Sequence, residues 1–393
     1  MNRTAEIQRL LEPLEDFQRL HAETLRRFGF RSVDLAYPNP RMHLDERPYH
    51  ALAEIAAGVG VDDLRYSPFG GFTTARRRVA SALAERHRLP YTYHDVILTP
   101  GATAALNLAL RELFTPPDRI LVLTPCWMDY PLYLANLGLD YDLVPTDEHK
   151  HLDLAAIEYA WTPQTRGVVI SQPASPTGVC YHANEITALV AMLNGLGATH
   201  DQPPLVVNDE THRDQVWARH GVPSPAHTYP HTVSVYSFGK AWQMQGQRIG
   251  YLAVHPYLPR REAIRERLVT GMRITGYCAP TALTQHMATA LSAFTPELGP
   301  LAELQDHTRT RLRRSGHHVI DADATHFVYV RAPIADDRQY AQLAAKHGVL
   351  VMPSGIFHEP GYFRLALNTD GAALDHALDI LADLNTARTD HNA

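Results

Sequence analysis

"DVILTPGATAALNLALREL", Asp95–Leu113, is the stretch from which the fold can be read. "DVILTP" is a short, continuously apolar run that reads as a strand, and Gly101 is the turn that ends it. "ATAALNLALREL" (Ala102–Leu113) then has strong helix formers, with leucines at 106, 108, 110 and 113. The same unit recurs downstream. "RILVLTP" (Arg119–Pro125), "YDLVPT" (Tyr141–Thr146), "GVVISQP" (Gly167–Pro173), "PLVVNDE" (Pro204–Glu210), "TVSVYSF" (Thr232–Phe238) and "RIGYLAVH" (Arg248–His255) are all short and rich in valine and isoleucine. Such runs suit strands buried on both faces of a mostly parallel sheet, with helices in the intervals. The expectation is an α/β doubly wound domain.

Upstream, residues 1–45 read as a helix followed by an extended arm, because the two prolines of "VDLAYPNPRMHL" (Val33–Leu44) exclude regular helix. Downstream of about Thr295, an arginine-rich helix precedes "HFVYVRAP" (His326–Pro333), a helix to about His347, "VLVMPS" (Val349–Ser354), "YFRLALN" (Tyr362–Asn368) and a last helix. This is the pattern of a smaller α+β domain. The expected division is an N-terminal helix and arm (1–45) packing with the small domain, a large domain (46–290) and a small C-terminal domain (291–393).

Composition narrows the function. The 393 residues are 45% hydrophobic and 20% charged, which is globular, and the net charge of −6 argues against a nucleic-acid backbone binder. No apolar run reaches a membrane span, and Met1–Leu20 has too many charges for a signal peptide, so a cytoplasmic location is expected. Cys126, Cys180 and Cys278 fit neither a metal site nor a disulfide framework. Among 36 basic residues only Lys150, Lys240 and Lys346 are lysines, so few side chains compete for the role of a covalent amine.

In an open α/β sheet the ligand lies beyond the carboxyl ends of the strands. At the first such end, the N–H groups of Gly101, Ala102 and Thr103 open a helix and could hold an anion; an ordinary turn would look the same. At the second, Trp127 could stack on a flat ligand or pack in the core. At the third, "SQPASPTG" (Ser171–Gly178) forms an irregular loop in which Ser175 could meet a ligand oxygen. At the fourth, Asp209 ends an apolar strand, where a carboxylate demands a cation: a ligand's pyridinium or a nearby arginine. At the fifth, "SFGKAWQMQGQRIGY" (Ser237–Tyr251) sets Lys240 between Ser237 and Arg248. A lysine beside an arginine in apolar surroundings has the depressed pKa that a Schiff-base amine needs, and Ser237 with Arg248 can complete a phosphate site.

Taken together, these segments resemble the class I/II aminotransferases, the pyridoxal-phosphate (PLP) enzymes of fold type I related to aspartate aminotransferase. S-x-x-K followed by G-x-R around Lys240 is the most specific match. "NDE" at Asp209 resembles the family's D-E-x-Y, and Ser171–Gly178 its N-P-x-N-P-T-G. The resemblance spans nearly the whole chain in the family's order. It implies a mostly parallel seven-stranded sheet in the large domain and PLP held by Lys240 as a Schiff base. Asp209 would keep the pyridine nitrogen protonated, and Trp127 would stack on the ring. Gly101, Ala102, Thr103, Ser237 and Arg248 would bind the phosphate, with Tyr66 reaching the phosphate of the neighbouring subunit in a homodimer. Arg364 would fork onto the α-carboxylate of an amino-acid substrate; a strand-edge surface ion pair is the alternative for this arginine. Arg273 is a possible second cation for a dicarboxylate.

Three positions depart from the pattern. Ser175 stands where asparagine, and His212 where tyrosine, usually bonds the phenolic oxygen of PLP. Pro38 stands where a glycine usually lies near the substrate. Because imidazole titrates near neutral pH, His212 is expected to alter the protonation of the cofactor's imine. The leading reading is an aminotransferase acting on an α-amino acid. Elimination, replacement, cyclisation or oxidation on the same fold, in a specialised biosynthetic pathway, is the second. A PLP-sensing regulator is the third, opposed by the absence of a helix-turn-helix pattern before the core.

Overall fold

The computed structural model describes residues 3–41, 45–199, 203–218, 221–277 and 279–389. Met42, His43 and Leu44 of the arm, and Cys278, lie outside them. Twelve strands are formed among the described residues: β1 (Val33–Asp34), β2 (Val96–Thr99), β3 (Arg119–Thr124), β4 (Asp140–Pro145), β5 (Thr165–Ser171), β6 (Leu205–Asp209), β7 (Thr232–Ser237), β8 (Gly250–Val254), β9 (Phe327–Arg331), β10 (Val349–Leu350), β11 (Met352–Pro353) and β12 (Tyr362–Ala366). The first four helices are α1 (Arg3–Phe28), α2 (Arg47–Ala57), α3 (Thr73–His87) and α4 (Ala102–Leu113).

Seven strands make one sheet in the order β2-β8-β7-β6-β5-β3-β4. Only β8 runs against its neighbours. Successive side chains of a strand point to opposite faces, and here both sets are buried. Ile120 and Val122 join Val169, Val207 and Val233 in one apolar cluster with Leu106 and Leu110 of α4. Leu121 and Leu123 join Val168, Ile170 and Val206 in another, on the opposite face. This is why the strand sequences show unbroken apolar runs rather than alternation. The chain leaves β3 for β4 on one side and returns to β5 on the other, so a crevice opens at the carboxyl ends of β3 and β5.

A three-stranded antiparallel sheet, β11-β12-β9, builds the C-terminal part. Met352, Arg364 and Tyr329 are register partners across it and share a face. Tyr329 and Met352 belong to the same apolar cluster as Leu121 and Val168, so this face packs toward the large sheet. The arm is tied in through β1, which pairs in parallel with β10, and through the Leu35 carbonyl, which accepts from the Ala366 N–H. No helix among the described residues is long and apolar enough to cross a membrane. Cys126 and Cys180 are buried free thiols.

Candidate active site

The carboxyl ends of β2 and β7 flank the first residue of β8 on its two sides: Gly250 is the register partner of Thr99 and of Ser237. A Cβ on Gly250 would come within 2.3 Å of the Tyr236 carbonyl and 3.0 Å of the Ala102 nitrogen, so only glycine allows this approach. Gly101 caps α4 with φ +81, in the left-handed region, and a Cβ there would lie 2.6 Å from Arg248 Nη2. The Arg248 guanidinium therefore sits against the start of α4, where the first N–H groups lack helical partners. Arg248 Nη1 donates to the Gln245 carbonyl at 2.9 Å, which fixes the fork. Ser237 is buried at the end of β7, where its Oγ accepts from the Gly239 N–H at 3.2 Å. The α4 start (Gly101, Ala102, Thr103), Ser237 and Arg248 thus gather around Gly250, and free helix-start N–H groups beside a guanidinium are donors of the type an anion needs.

Lys240 lies on the short helix Phe238–Ala241, which follows β7 directly. Burial, aided by the charges of Arg364 and Arg248 and opposed by Asp209, pulls its ammonium down to about 7. The other lysines differ. Lys150 is buried but paired with Glu359 at 2.8 Å, and Lys346 is exposed. Asp209, at the end of β6, is buried. Tyr130 Oη donates to its Oδ2 at 2.5 Å and the Thr211 N–H to its Oδ1 at 2.9 Å. Among the described residues no arginine or lysine forms an ion pair with it, so the alternative of a nearby arginine is removed. Burial raises its pKa. A protonated ring nitrogen is the type of partner this carboxylate lacks.

Arg364 is also buried, on the central strand of the small sheet, which excludes a surface ion pair. One nitrogen, Nη2, donates to the Ala36 carbonyl at 2.9 Å; Nε and Nη1 have no partner. The guanidinium is framed by the rings of Phe327 and Phe357, with centroids at 4.1 and 4.6 Å. The unpartnered Nε and Nη1 flank Nη2, which has a second proton, so the guanidinium retains donors that can meet a carboxylate. The arm crosses here. Asn368 Nδ2 donates to the Tyr37 carbonyl at 2.8 Å and to that of Asn39, and Gln245 Nε2 donates to the Pro38 carbonyl at 3.0 Å. Pro38 is thereby held between the Lys240 segment and Arg364.

Trp127 is half-buried after β3 and packs against the cluster under the sheet. Ser175 is buried in the loop after β5. Tyr66 is fully exposed, and Arg273 is exposed with its guanidinium over the Phe69 ring, so a single chain brings neither to Lys240. His212 is buried. Burial and the Lys240 charge, against a hydrogen bond to Gln215, take its imidazole down to about 3. The expectation that it titrates near neutrality is therefore corrected: it is neutral throughout the physiological range. Sequence reading missed Gln215, Gln245, His326, Tyr130 and Asn368. None is one of the fixed positions of the matched motifs, and a neutral side chain carries no local signal of what it will touch.

The family model "Aminotransferase class I and II" matches residues 36–381. Aspartate aminotransferase of Thermotoga maritima is 23% identical over 332 residues, covering 83% of this chain and 85% of the relative. The probable aspartate/prephenate aminotransferase of Thermus aquaticus is 28% identical over 370 residues, covering 91% and 92%. An amino transferase from Eubacterium rectale superimposes with a TM-score of 0.89 at 23% identity, over 94% of this chain and 95% of that one. Aspartate aminotransferase of Thermus thermophilus with maleate superimposes with a TM-score of 0.81 at 24% identity, over 93% and 96%. The structural likenesses establish the fold-type-I architecture, and the family match, which runs from the arm through the last helix, establishes that this chain belongs to aminotransferase class I and II, a family of PLP-dependent transferases.

Proposed function

We propose that this chain binds PLP at Lys240 and moves the amino group of an α-amino acid. The observation that supports this most directly is the set of three charged groups at one crevice, Lys240, Asp209 and Arg364, none of which has a counter-ion among the described residues. When bound, PLP supplies an electron sink for the bond electrons released at the substrate Cα. The side chains do the rest. The anion cradle of Gly101, Ala102, Thr103, Ser237 and Arg248 orients the phosphate, Asp209 holds a proton on the ring nitrogen, and Trp127 covers the ring. Arg364 fixes the α-carboxylate, and the arm at Ala36–Asn39 closes over it and excludes water. Lys240 Nζ, with a pKa near 7, takes the Cα proton as a neutral amine and returns it as an ammonium.

A homodimer and a cytoplasmic location belong to the same proposal. Tyr66 is fully exposed, with Val61, Leu64 and Ile274 as further exposed apolar residues, which a partner subunit would cover. The division at about residues 45 and 290 is retained with it. The names of the Thermus and Thermotoga relatives, aspartate and aspartate/prephenate aminotransferases, direct attention to dicarboxylic substrates, but the side-chain pocket within one chain holds no second free arginine among the described residues near Lys240.

The test is a half-reaction. Holoenzyme is mixed with single amino acids without any keto acid, and the cofactor is followed by mass. Accumulation of the amine form of the cofactor establishes transamination, and the responding amino acid names the substrate. Return of the cofactor to PLP with a changed amino acid assigns elimination, cyclisation or oxidation instead.

A further inference from the structure

Gln215 is buried three residues after His212, and its two amide ends do different work. Nε2 donates to the backbone carbonyl of Lys240 at 3.0 Å. A carbonyl can only accept, so the amide orientation is settled: NH2 toward Lys240, oxygen away from it. That oxygen lies 2.9 Å from His212 Nδ1 and 3.0 Å from His326 Nδ1. An amide oxygen can only accept, so both imidazoles carry their proton on Nδ1. A neutral imidazole protonated on Nδ1 has a lone pair on Nε2. Burial keeps the pair neutral, aided by the positive charges of Lys240 and Arg364, which face both rings; Arg248 lies beyond Lys240, and Asp209, the nearby carboxylate, ends the strand that leads to His212.

The surroundings hold this arrangement rigidly. Thr325, directly before His326, sits at φ +65, a conformation that β-branched residues seldom adopt. Its N–H donates to the Gln215 backbone carbonyl at 2.8 Å. Gln305 Nε2 donates to the carbonyls of Ala324, Thr325 and Phe327. The His212 ring lies 5.6 Å from the His326 ring and 5.4 Å from the Phe327 ring, so rotation about its side-chain bonds is obstructed.

We propose that Gln215 is a positioning residue that locks His212 as the Nδ1–H tautomer, so that the position occupied in the resembled family by a donating phenol here offers a hydrogen-bond acceptor to the cofactor. This rests on the PLP reading above. A donor at this point would stabilise an anionic phenolic oxygen on the cofactor; an acceptor favours the form in which that oxygen and the adjoining Lys240 nitrogen retain their shared proton. The bound cofactor therefore keeps this proton to higher pH than it would with tyrosine at position 212.

Two readouts other than turnover test this. The first is nitrogen-15 NMR of histidine-labelled full chain without cofactor, with the His212 signals assigned by their loss in His212→Tyr. A proton on Nδ1 and none on Nε2 at neutral pH is expected; a proton on Nε2 overturns the proposal. The second is a pH titration of the visible absorbance of the holoenzyme. The midpoint should fall by about one pH unit or more in His212→Tyr. It should also fall, by less, in Gln215→Leu, where loss of the Oε1 acceptor lets the imidazole carry its proton on Nε2 and donate from there. A midpoint in His212→Tyr equal to or above that of the unsubstituted enzyme overturns the proposal, whether or not Gln215→Leu binds cofactor. Absence of any lysine-linked visible band would instead strike the PLP reading, and the NMR result would still decide the tautomer.

Discussion

Asp209 and Glu210 are neighbours at the end of β6, both buried, and their environments are opposite. Behind the sheet, Glu210 accepts from Asn208 Nδ2 at 2.7 Å, Ser224 Oγ at 2.8 Å and Arg213 Nη1 at 2.7 Å. Burial pushes its pKa up, but Arg213, His87 and these hydrogen bonds outweigh it and bring the carboxyl to about 2. Arg213 lies over the Tyr236 ring at 4.1 Å and also bonds the Tyr251 hydroxyl. At the crevice side, among the described residues, Asp209 has hydrogen-bond donors but forms no ion pair, and Arg364 has two nitrogens without partners. One set of buried charges is matched within the chain; the other has no ion-pair partner among the described residues. Burying an unmatched charge costs stability, which supports the proposed placement of the site at this crevice.

Substitutions can break this contrast. Lys240→Ala should have the largest effect, a loss of turnover on the order of a thousandfold or more together with the covalent cofactor. Its thermal unfolding without cofactor should stay close to that of the parent. Retention of a lysine-linked adduct, seen by mass after reduction with borohydride, would remove the assignment.

Next comes the carboxylate pair. Asp209→Asn should lower turnover about a hundred- to a thousandfold while leaving the cofactor-free chain equally or more stable. Glu210→Gln should lose about 3 kcal/mol of stability, because Arg213 is left buried without the carboxylate at 2.7 Å and with only Asp214, at 3.8 Å, as an ion-pair partner. Denaturant midpoints of the two cofactor-free variants make the comparison, and equal values would erase it. The pH dependence follows with opposite signs. Glu210, with a folded pKa below its ordinary value of 4.5, contributes stability that is present above about 4.5 and lost as pH falls toward 2. Asp209, with a raised pKa, opposes folding as pH rises through that pKa. Glu210→Gln should therefore flatten the acid limb of the stability curve, measured by chemical denaturation at stepped pH.

Arg364→Met should raise the apparent dissociation constant for the amino acid about ten- to a hundredfold, without destabilising the cofactor-free chain. An unchanged constant in half-reaction titrations would remove its carboxylate role. Gln245→Ala should be the mildest, about a fivefold rise, since it releases only one hydrogen bond that holds Pro38 over the site. A change as large as that of Arg364→Met would mean that the arm, rather than the guanidinium, dominates binding.

Much of this contrast was open to sequence reading where chain continuity carries it. Lys240 follows β7 by three residues and Asp209 ends β6, so a strand pattern alone brings both to the same edge of the sheet. Arg364 stood out because its strand is otherwise apolar. Gln215 and His326 did not, since their contact joins residues 111 apart and depends on how the C-terminal sheet docks. For His212, the sequence identified the departure from tyrosine but assigned it ordinary titration. Burial beside Lys240 is what removes that titration.

The layered α/β architecture and the placement of Lys240, Asp209 and the Gly101 helix start at strand ends were legible along the chain, because these depend on local periodicity, on turn residues and on short spacings within one segment. The tertiary structure alone decided which buried charges are matched and which are not, that the arm closes over Arg364, and which nitrogen of His212 carries the proton. Those properties arise from desolvation and from partners on remote segments, and neither can be read from spacing along the chain.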